Sequence, residues 1–358
     1  MPAKVVPTPA LPGLSPIGGK SVIARFDGGH LSSDGGLLVL REVERRLDIA
    51  GRLAACITDP RDPGRVVHGL DAVHGEQQLR LFNAHYDEYG FQPIVVFDSD
   101  GRFVTAVLRP AKRPSGREVR AFLRRLVRQI QAHWPRVRIL IRADSHYCSP
   151  EVLSWCRANG IDYLLGVAPT STLLRRVERL QASTIARHAA CGIGAKLRRF
   201  TEFHDAAASW ARVERIVARV EAGPDGVDTR FVVTNLPDGS ARAIYERRYC
   251  QRGQAENHIK SWKRHLAADR TSCTRATANQ LRLFLHAGAY WLMWSLRTLM
   301  PPRSSWRTAQ FDTLRLRLIK LATRIVELKT QVRLHLPSSA PCQSIMAFAL
   351  GRMSRLMI

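Results

Sequence analysis

Apolar residues in this chain recur with two different spacings, and the switches between them outline its elements. Helical spacing is clearest after Ser33, where Leu37, Leu40, Val43 and Leu47 repeat every three or four positions up to about Cys56. The period is then lost: residues 58–71 (TDPRDPGRVVHGLD) are rich in turn formers. Three strand-like runs follow at 79–86, 93–97 and 103–108, the last two joined by Asp98-Ser99-Asp100-Gly101. A hairpin turn accounts for those two aspartates better than metal binding does, because Asp side chains accept local backbone N–H groups.

Ser115-Gly116-Arg117-Glu118 is a capping box, which predicts a helix to about Trp134 with Val119, Leu123, Leu126 and Ile130 on one side. Pro135 stops it. Residues 137–143 read as an apolar strand ending at Asp144. Ser149-Pro150 opens a second helix, which Gly160 closes, and 162–167 is a further strand. Strand–helix–strand–helix–strand order predicts an α/β domain with parallel strands. From Leu197 to Leu236 the pattern changes to short alternating runs around a Gly-Pro-Asp-Gly turn at 223–226, a β-rich insertion. Beyond Ala241 the chain reads as helical until 332–336, which alternates like an edge strand. Residues 283–296 are apolar, but Arg282 and Arg297 bound them too closely for a bilayer span, so they predict a buried helix.

Charge narrows the function classes. The chain has 358 residues, with 55 Lys and Arg against 30 Asp and Glu, a net charge of +25. Such a surplus favours a polyanionic partner and salt-dependent binding. It is spread through amphipathic helices, as at Arg120, Arg124, Arg125 and Arg128, and not gathered in a solvated block. No strongly basic helix has a free apolar face, which argues against a membrane surface. Residues 1–19 are rich in Pro and Gly without an apolar run, a loose tail and not a signal peptide. Seven cysteines form no Cys-x-x-Cys pair and read as reduced thiols of a soluble intracellular protein.

Tyr249, Arg252, Glu256, Lys260 and Lys263 fall within an arc of about 80° on a helix turning roughly 100° per residue. Spacing alone admits two readings. One is a solvated face with ion pairs such as Arg252–Glu256 and Glu256–Lys260. The other is a phosphodiester-processing site, where an acid holds a divalent metal and cations grip the flanking phosphates. Trp262 points away from this stripe and reads as a core residue.

The string YCQRGQAENHIKSWK resembles the Tyr-x2-Arg-x3-Glu-x6-Lys signature of bacterial insertion-sequence transposases of the DDE type. GGLLVLREVERRL, HGEQQLRLFNAHYDE, RADSHY and CRANGIDYLLGVA are similar to one branch of that group, group 1 of the DDE-domain transposases. The resemblance implies an RNase H-like mixed sheet flanked by helices, with the β-rich insertion ahead of the helix bearing the catalytic Glu and a helical N-terminal segment. In these terms 20–70 would be an N-terminal DNA-binding remnant, 71–170 the first part of the catalytic domain, 171–238 the insertion, and 239–358 the catalytic-Glu helix with a helical remainder. The family's chemistry uses three carboxylates that hold two Mg²⁺ (or Mn²⁺) ions. Residue by residue, Asp144 in Arg-Ala-Asp-Ser matches the second acid and Glu256 the third, both metal ligands. Tyr249, Arg252, Lys260 and Lys263 would contact DNA. The implied partners are double-stranded DNA, as terminal inverted repeats and target, and a second copy in a homodimer.

One departure stands out. An Asp-x-Thr strand should precede 71–75, but Val67-His68-Gly69-Leu70 stands there, echoed at Val73-His74-Gly75. This points to an internal deletion, with Asp71 as the one candidate substitute for the first acid.

Overall fold

The computed structural model describes residues 9–28, 36–55, 76–83, 88–191 and 196–353. Two compact units emerge, one of residues 1–111 with 257–358, the other of residues 112–256. Asp71 and the turn-rich 58–71 stretch lie outside the described residues.

In the first unit, β1 (Ser21–Arg25) precedes α1 (Leu37–Leu47) and α2 (Ile49–Ala55). The helical spacing after Ser33 thus corresponds to two short helices broken at Asp48, whose backbone is left-handed (φ 48°). β1 is a strand in a segment read as helical. β2 (Leu81–Asn83) pairs with β3 (Glu88–Gly90), and β4 (Ile94–Phe97) pairs antiparallel with β5 (Phe103–Val107). Asp98 holds the intervening turn: its Oδ1 accepts the N–H groups of Asp100 and Arg102 at 2.9 and 2.8 Å. Gly101 supplies the positive φ (77°) that the turn requires. The expectation that residues 103–108 begin a parallel array is corrected here. Among the described residues β5 pairs only with β4, because so tight a turn returns the chain antiparallel.

The second unit begins with α3 (Gly116–His133), capped by Ser115, whose Oγ accepts the Glu118 N–H at 3.2 Å. Val119, Phe122, Leu123 and Val127 are its buried face. Next come β6 (Leu140–Ala143), α4 (Pro150–Ala158) and β7 (Asp162–Val167). β6 and β7 are parallel, Leu140 opposite Asp162 and Ala143 opposite Leu165, as the strand–helix–strand order predicts. The 171–238 segment opens with α5 (Ser171–Cys191), a helix that its reading as a β-rich insertion did not include. Leu173, Val177 and Thr184 are its buried positions, at helical spacing. β8 (Leu197–Asp205), β9 (Glu214–Gly223) and β10 (Gly226–Thr234) complete a mixed sheet of order β6-β7-β10-β9-β8. The alternating 197–236 region therefore continues the sheet begun by β6 and β7. α5 covers one face through Leu173, Val177, Ile216, Val220 and Phe231, and Ile244 and Tyr245 cover the other through Leu164, Val217 and Val232. Each such side chain, fully buried, contributes roughly 1.5–3 kcal/mol.

A continuous but irregular helical stretch ends this unit: wide π-type turns at Ala243–Tyr249, a tight turn at Cys250–Arg252, then α6 (Gly253–Lys260). The chain re-enters the first unit within α6. Wide turns at Ser261–His265 bury Trp262 completely, as its position off the stripe predicts. α7 (Ala276–Leu299) is the buried helix read from 283–296, with Leu283, Tyr290, Met293 and Leu296 in the same buried cluster as Val39 and Val43 of α1. α8 (Phe311–Leu314), β11 (Arg324–Glu327), β12 (Gln331–His335) and α9 (Gln343–Gly351) follow. β12 is not an edge strand: β1 lies parallel on one side and β11 antiparallel on the other. Its alternation reports one covered face, with Val332 and Leu334 buried, and says nothing about its two edges. Among the described residues no helix is long and apolar enough to cross a membrane.

Two predictions follow from burial in the second unit. Glu214 is 3% exposed and accepts hydrogen bonds from Arg157 Nε at 2.8 Å and Tyr163 Oη at 2.6 Å. Arg157→Met strands that carboxylate and should cost about 3 kcal/mol in urea unfolding. Burial pushes the Cys148 and Cys156 thiols up to about 12, whereas Cys191 is exposed. Alkylation at pH 8 with peptide mapping should label Cys191 within minutes and the other two only on unfolding.

Candidate active site

Asp144 directly follows β6, at the carboxyl end of the parallel pair, where the sheet's backbone polar groups give way to loops. Its backbone is extended, and its Oδ1 accepts the His146 N–H at 3.0 Å, capping the tight turn Ser145–Tyr147. Capping uses one carboxylate oxygen.

The adjacent strand has Gly166 at the matching level. A Cβ on Gly166 would lie 2.6 Å from Tyr249 Oη, 3.0 Å from Ser145 N and 3.3 Å from the Asp144 carbonyl carbon. A bare backbone there leaves room for both the Tyr249 hydroxyl and the Asp144–Ser145 peptide. Arg142, two residues before Asp144, reinforces the approach. Its guanidinium donates to the Arg248 carbonyl at 3.0 Å and to Gln251 Oε1 at 2.9 Å, tying β6 to the irregular helical stretch.

Along that stretch the Arg252 guanidinium carbon sits 5.6 Å from the centre of the Tyr249 ring, and Arg252 pairs with Glu256 at 3.2 Å. Tyr249, Arg252 and Glu256 thus form a continuous chain of contacts beginning beside Asp144. Burial holds the Tyr249 phenol above its ordinary range, Arg252 acts against this and Asp144 adds to it. Glu256 keeps 68% of its side chain exposed, so its pairing with Arg252 is a weak, exchangeable contact.

Beside Tyr249 and Arg252 lies a cavity of about 190 Å³, lined also by Tyr245, Arg198, Arg219 and Arg230. The strand arginines form a ladder. Arg198 and Arg219 both meet Glu221, Arg219 and Arg230 both meet Asp228, and Arg219 also stacks on Tyr245 at 5.7 Å. Sequence reasoning missed this wall and Arg142. The arginines recur along β8–β10, but their convergence depends on the register in which these strands pair. The cavity's four guanidinium groups suit an anionic occupant.

Not all predicted residues gather here. Asp71 lies outside the described residues. Lys260 and Lys263 belong to the first unit, where Lys260 is exposed. Lys263 is half-buried, and that burial holds its ammonium below the usual lysine range, with Asp269 opposing. Among the described residues no three His, Cys, Asp or Glu side chains are grouped to hold a metal.

Carboxylates set beside arginines and a tyrosine are the groups that phosphodiester chemistry draws on. The profile of the family described as transposase DDE domain group 1 matches residues 14–72 and 69–358, nearly the whole chain. The chain belongs to that family, and is by family a DDE-type transposase, a nucleotidyl-transfer enzyme acting on DNA. No curated protein matches it.

Gly166→Ala should crowd Tyr249 and lower stability by about 1–3 kcal/mol. Tyr249→Phe, which removes the nearest atom, should recover part of that loss. A double-mutant cycle in thermal melts checks the coupling, and additive effects would refute the close approach.

Proposed function

We propose that this chain is the transposase of an insertion sequence, in a copy shortened internally so that DNA binding outlasts cleavage. The observation that carries this reading is the acid set. Glu256 pairs with Arg252 in the helical stretch whose Tyr249 lies beside Gly166, next to the Asp144–Ser145 peptide, while no Asp-x-Thr step precedes Asp71 in the sequence. The family match supports the shortening: it comes in two stretches that overlap at 69–72, from the end of the repeat Val67-His68-Gly69 up to Val73-His74-Gly75. The parallel β6–α4–β7 unit, extended by antiparallel strands, supports an RNase H-like catalytic core.

Asp144 and Glu256 offer hard oxygen donors of the kind Mg²⁺ or Mn²⁺ takes, and would hold one ion. Bound there, the ion would supply Lewis-acid activation for cleavage and strand transfer at terminal inverted repeats. The set falls one carboxylate short of a two-metal site unless Asp71 joins it. Tyr249, Arg252, Lys260 and Lys263 would grip the phosphates of the transposon end. Arg252 would exchange its contact with Glu256 for a phosphate, leaving that carboxylate free. A second copy of the chain would complete the DNA complex as a homodimer.

Nicking of a cognate terminal-repeat duplex in Mg²⁺ or Mn²⁺ should be weak or absent, while binding to the same duplex persists in Asp144→Ala and Glu256→Ala. Strong cleavage that Glu256→Ala abolishes would overturn the shortened-copy reading. Loss of that cleavage in Asp71→Ala would then identify the substitute acid.

A further inference from the structure

α3 carries arginines for which the fold has no use. Arg117, Arg120, Arg124 and Arg128 fall within an arc of about 80°, with Arg125 beside them. All five are exposed, while Val119, Phe122, Leu123 and Val127 of the same helix are buried. No acid interrupts the stripe. Among the described residues none of the five meets a carboxylate, unlike Arg157 on α4 and the sheet arginines Arg215 and Arg219. Arg117 also stands in the first turn, where the helix dipole disfavours a cation. The charge is thus held without compensation and adds nothing to the stability of α3, which rests on its cap and apolar face.

We infer that this stripe is a track for the phosphate backbone of double-stranded DNA, separate from the cluster of Asp144, Tyr249, Arg252 and Glu256. The inference rests on the transposase reading and deepens it by placing a sequence-independent DNA contact on α3. From Arg117 to Arg128 the helix spans about 16 Å, over which a duplex presents roughly ten phosphates. Guanidinium groups carried at steps of about 5–6 Å along a helix can follow a regular polyanion, and each group can engage phosphate with two hydrogen bonds. It continues past the helix end, where Trp134 is 64% exposed and followed by the exposed Arg136.

The test compares the full chain with a variant carrying Arg117→Ala, Arg120→Ala, Arg124→Ala and Arg128→Ala. Alanine keeps helix propensity, so its thermal melt should match the parent's. The probe is a random-sequence duplex titrated between 50 and 200 mM salt. Four lost phosphate contacts should flatten the log–log salt slope by about 3.6, so the parent's fall in affinity over that range exceeds the variant's by roughly 100-fold. An unchanged slope overturns the inference. So does an equal flattening by Arg175→Ala, Arg179→Ala and Arg187→Ala on α5, which would show net charge alone at work. Binding of anionic phospholipid vesicles that needs the α3 arginines while duplex binding does not would also overturn it. The transposase reading fails by a different sign: a parent chain that binds terminal-repeat and random duplexes equally, whatever the α3 variant does.

Discussion

The second unit depends on one close approach. Gly166 has no side chain, so the Tyr249 hydroxyl and the Asp144–Ser145 peptide can share the space a Cβ would fill. Arg142 bonds the irregular helical stretch from the neighbouring strand and holds it at that depth. The stretch is irregular for a related reason. Wide turns at 243–249 and a tight turn at 250–252 change the rise per residue, and in this way Ile244 and Tyr245 remain on the sheet while Tyr249 reaches its edge. An ideal helix could not meet both demands without a kink. π-type widening of this kind recurs at functional sites, because it re-aims side chains without breaking the chain's direction.

Charge is distributed by the same logic. On β8–β10 the arginines are interleaved with Glu221 and Asp228, so a ladder of cations is held close together at little electrostatic cost. Arg219, at 8% exposure, would be prohibitively placed without those acids. The α3 arginines are exposed instead, and water and salt screen them. One set is held by acids around a small cavity, with Arg219 desolvated among them, and the other is open and adaptable. A protein handling a long polyanion has use for both, since a point of fixed geometry and a surface of loose attraction do different work.

How far the sequence revealed this depended on whether each feature is local. The α3 and α4 caps were legible because Ser115 and Ser149 bond N–H groups three residues away. The parallel β6–β7 pair was legible because a strand–helix–strand segment admits few other arrangements. The contacts among Tyr249, Arg252 and Glu256 were legible from helical spacing, and their ion pair is one of the two that spacing suggested. α5 was missed because its apolar side is thin and broken by Arg, Ser and Thr, which weakens the period next to the strong alternation of β9 and β10. The central place of β12 was hidden because alternation records faces and not neighbours. Arg142 and Arg198 were invisible as site residues because their partners, Arg248 and Glu221, lie on other elements, and Arg230 because its pairing with Asp228 on its own strand gives no sign of the cavity it lines.

β6 has a further consequence for how the protein behaves at high concentration. Among the described residues it is the outermost strand of its sheet, paired only with β7. An outer strand is a template on which an identical strand from another molecule can dock. Here the approach to β6 is lined by Arg136 and Arg138, the latter 89% exposed in its side chain. Two such edges brought together would oppose like charges, so crowding alone should not drive molecules to stack through this sheet. A polyanion that neutralised those arginines would remove the barrier, which makes the nucleic-acid content of a preparation a determinant of its colloidal state.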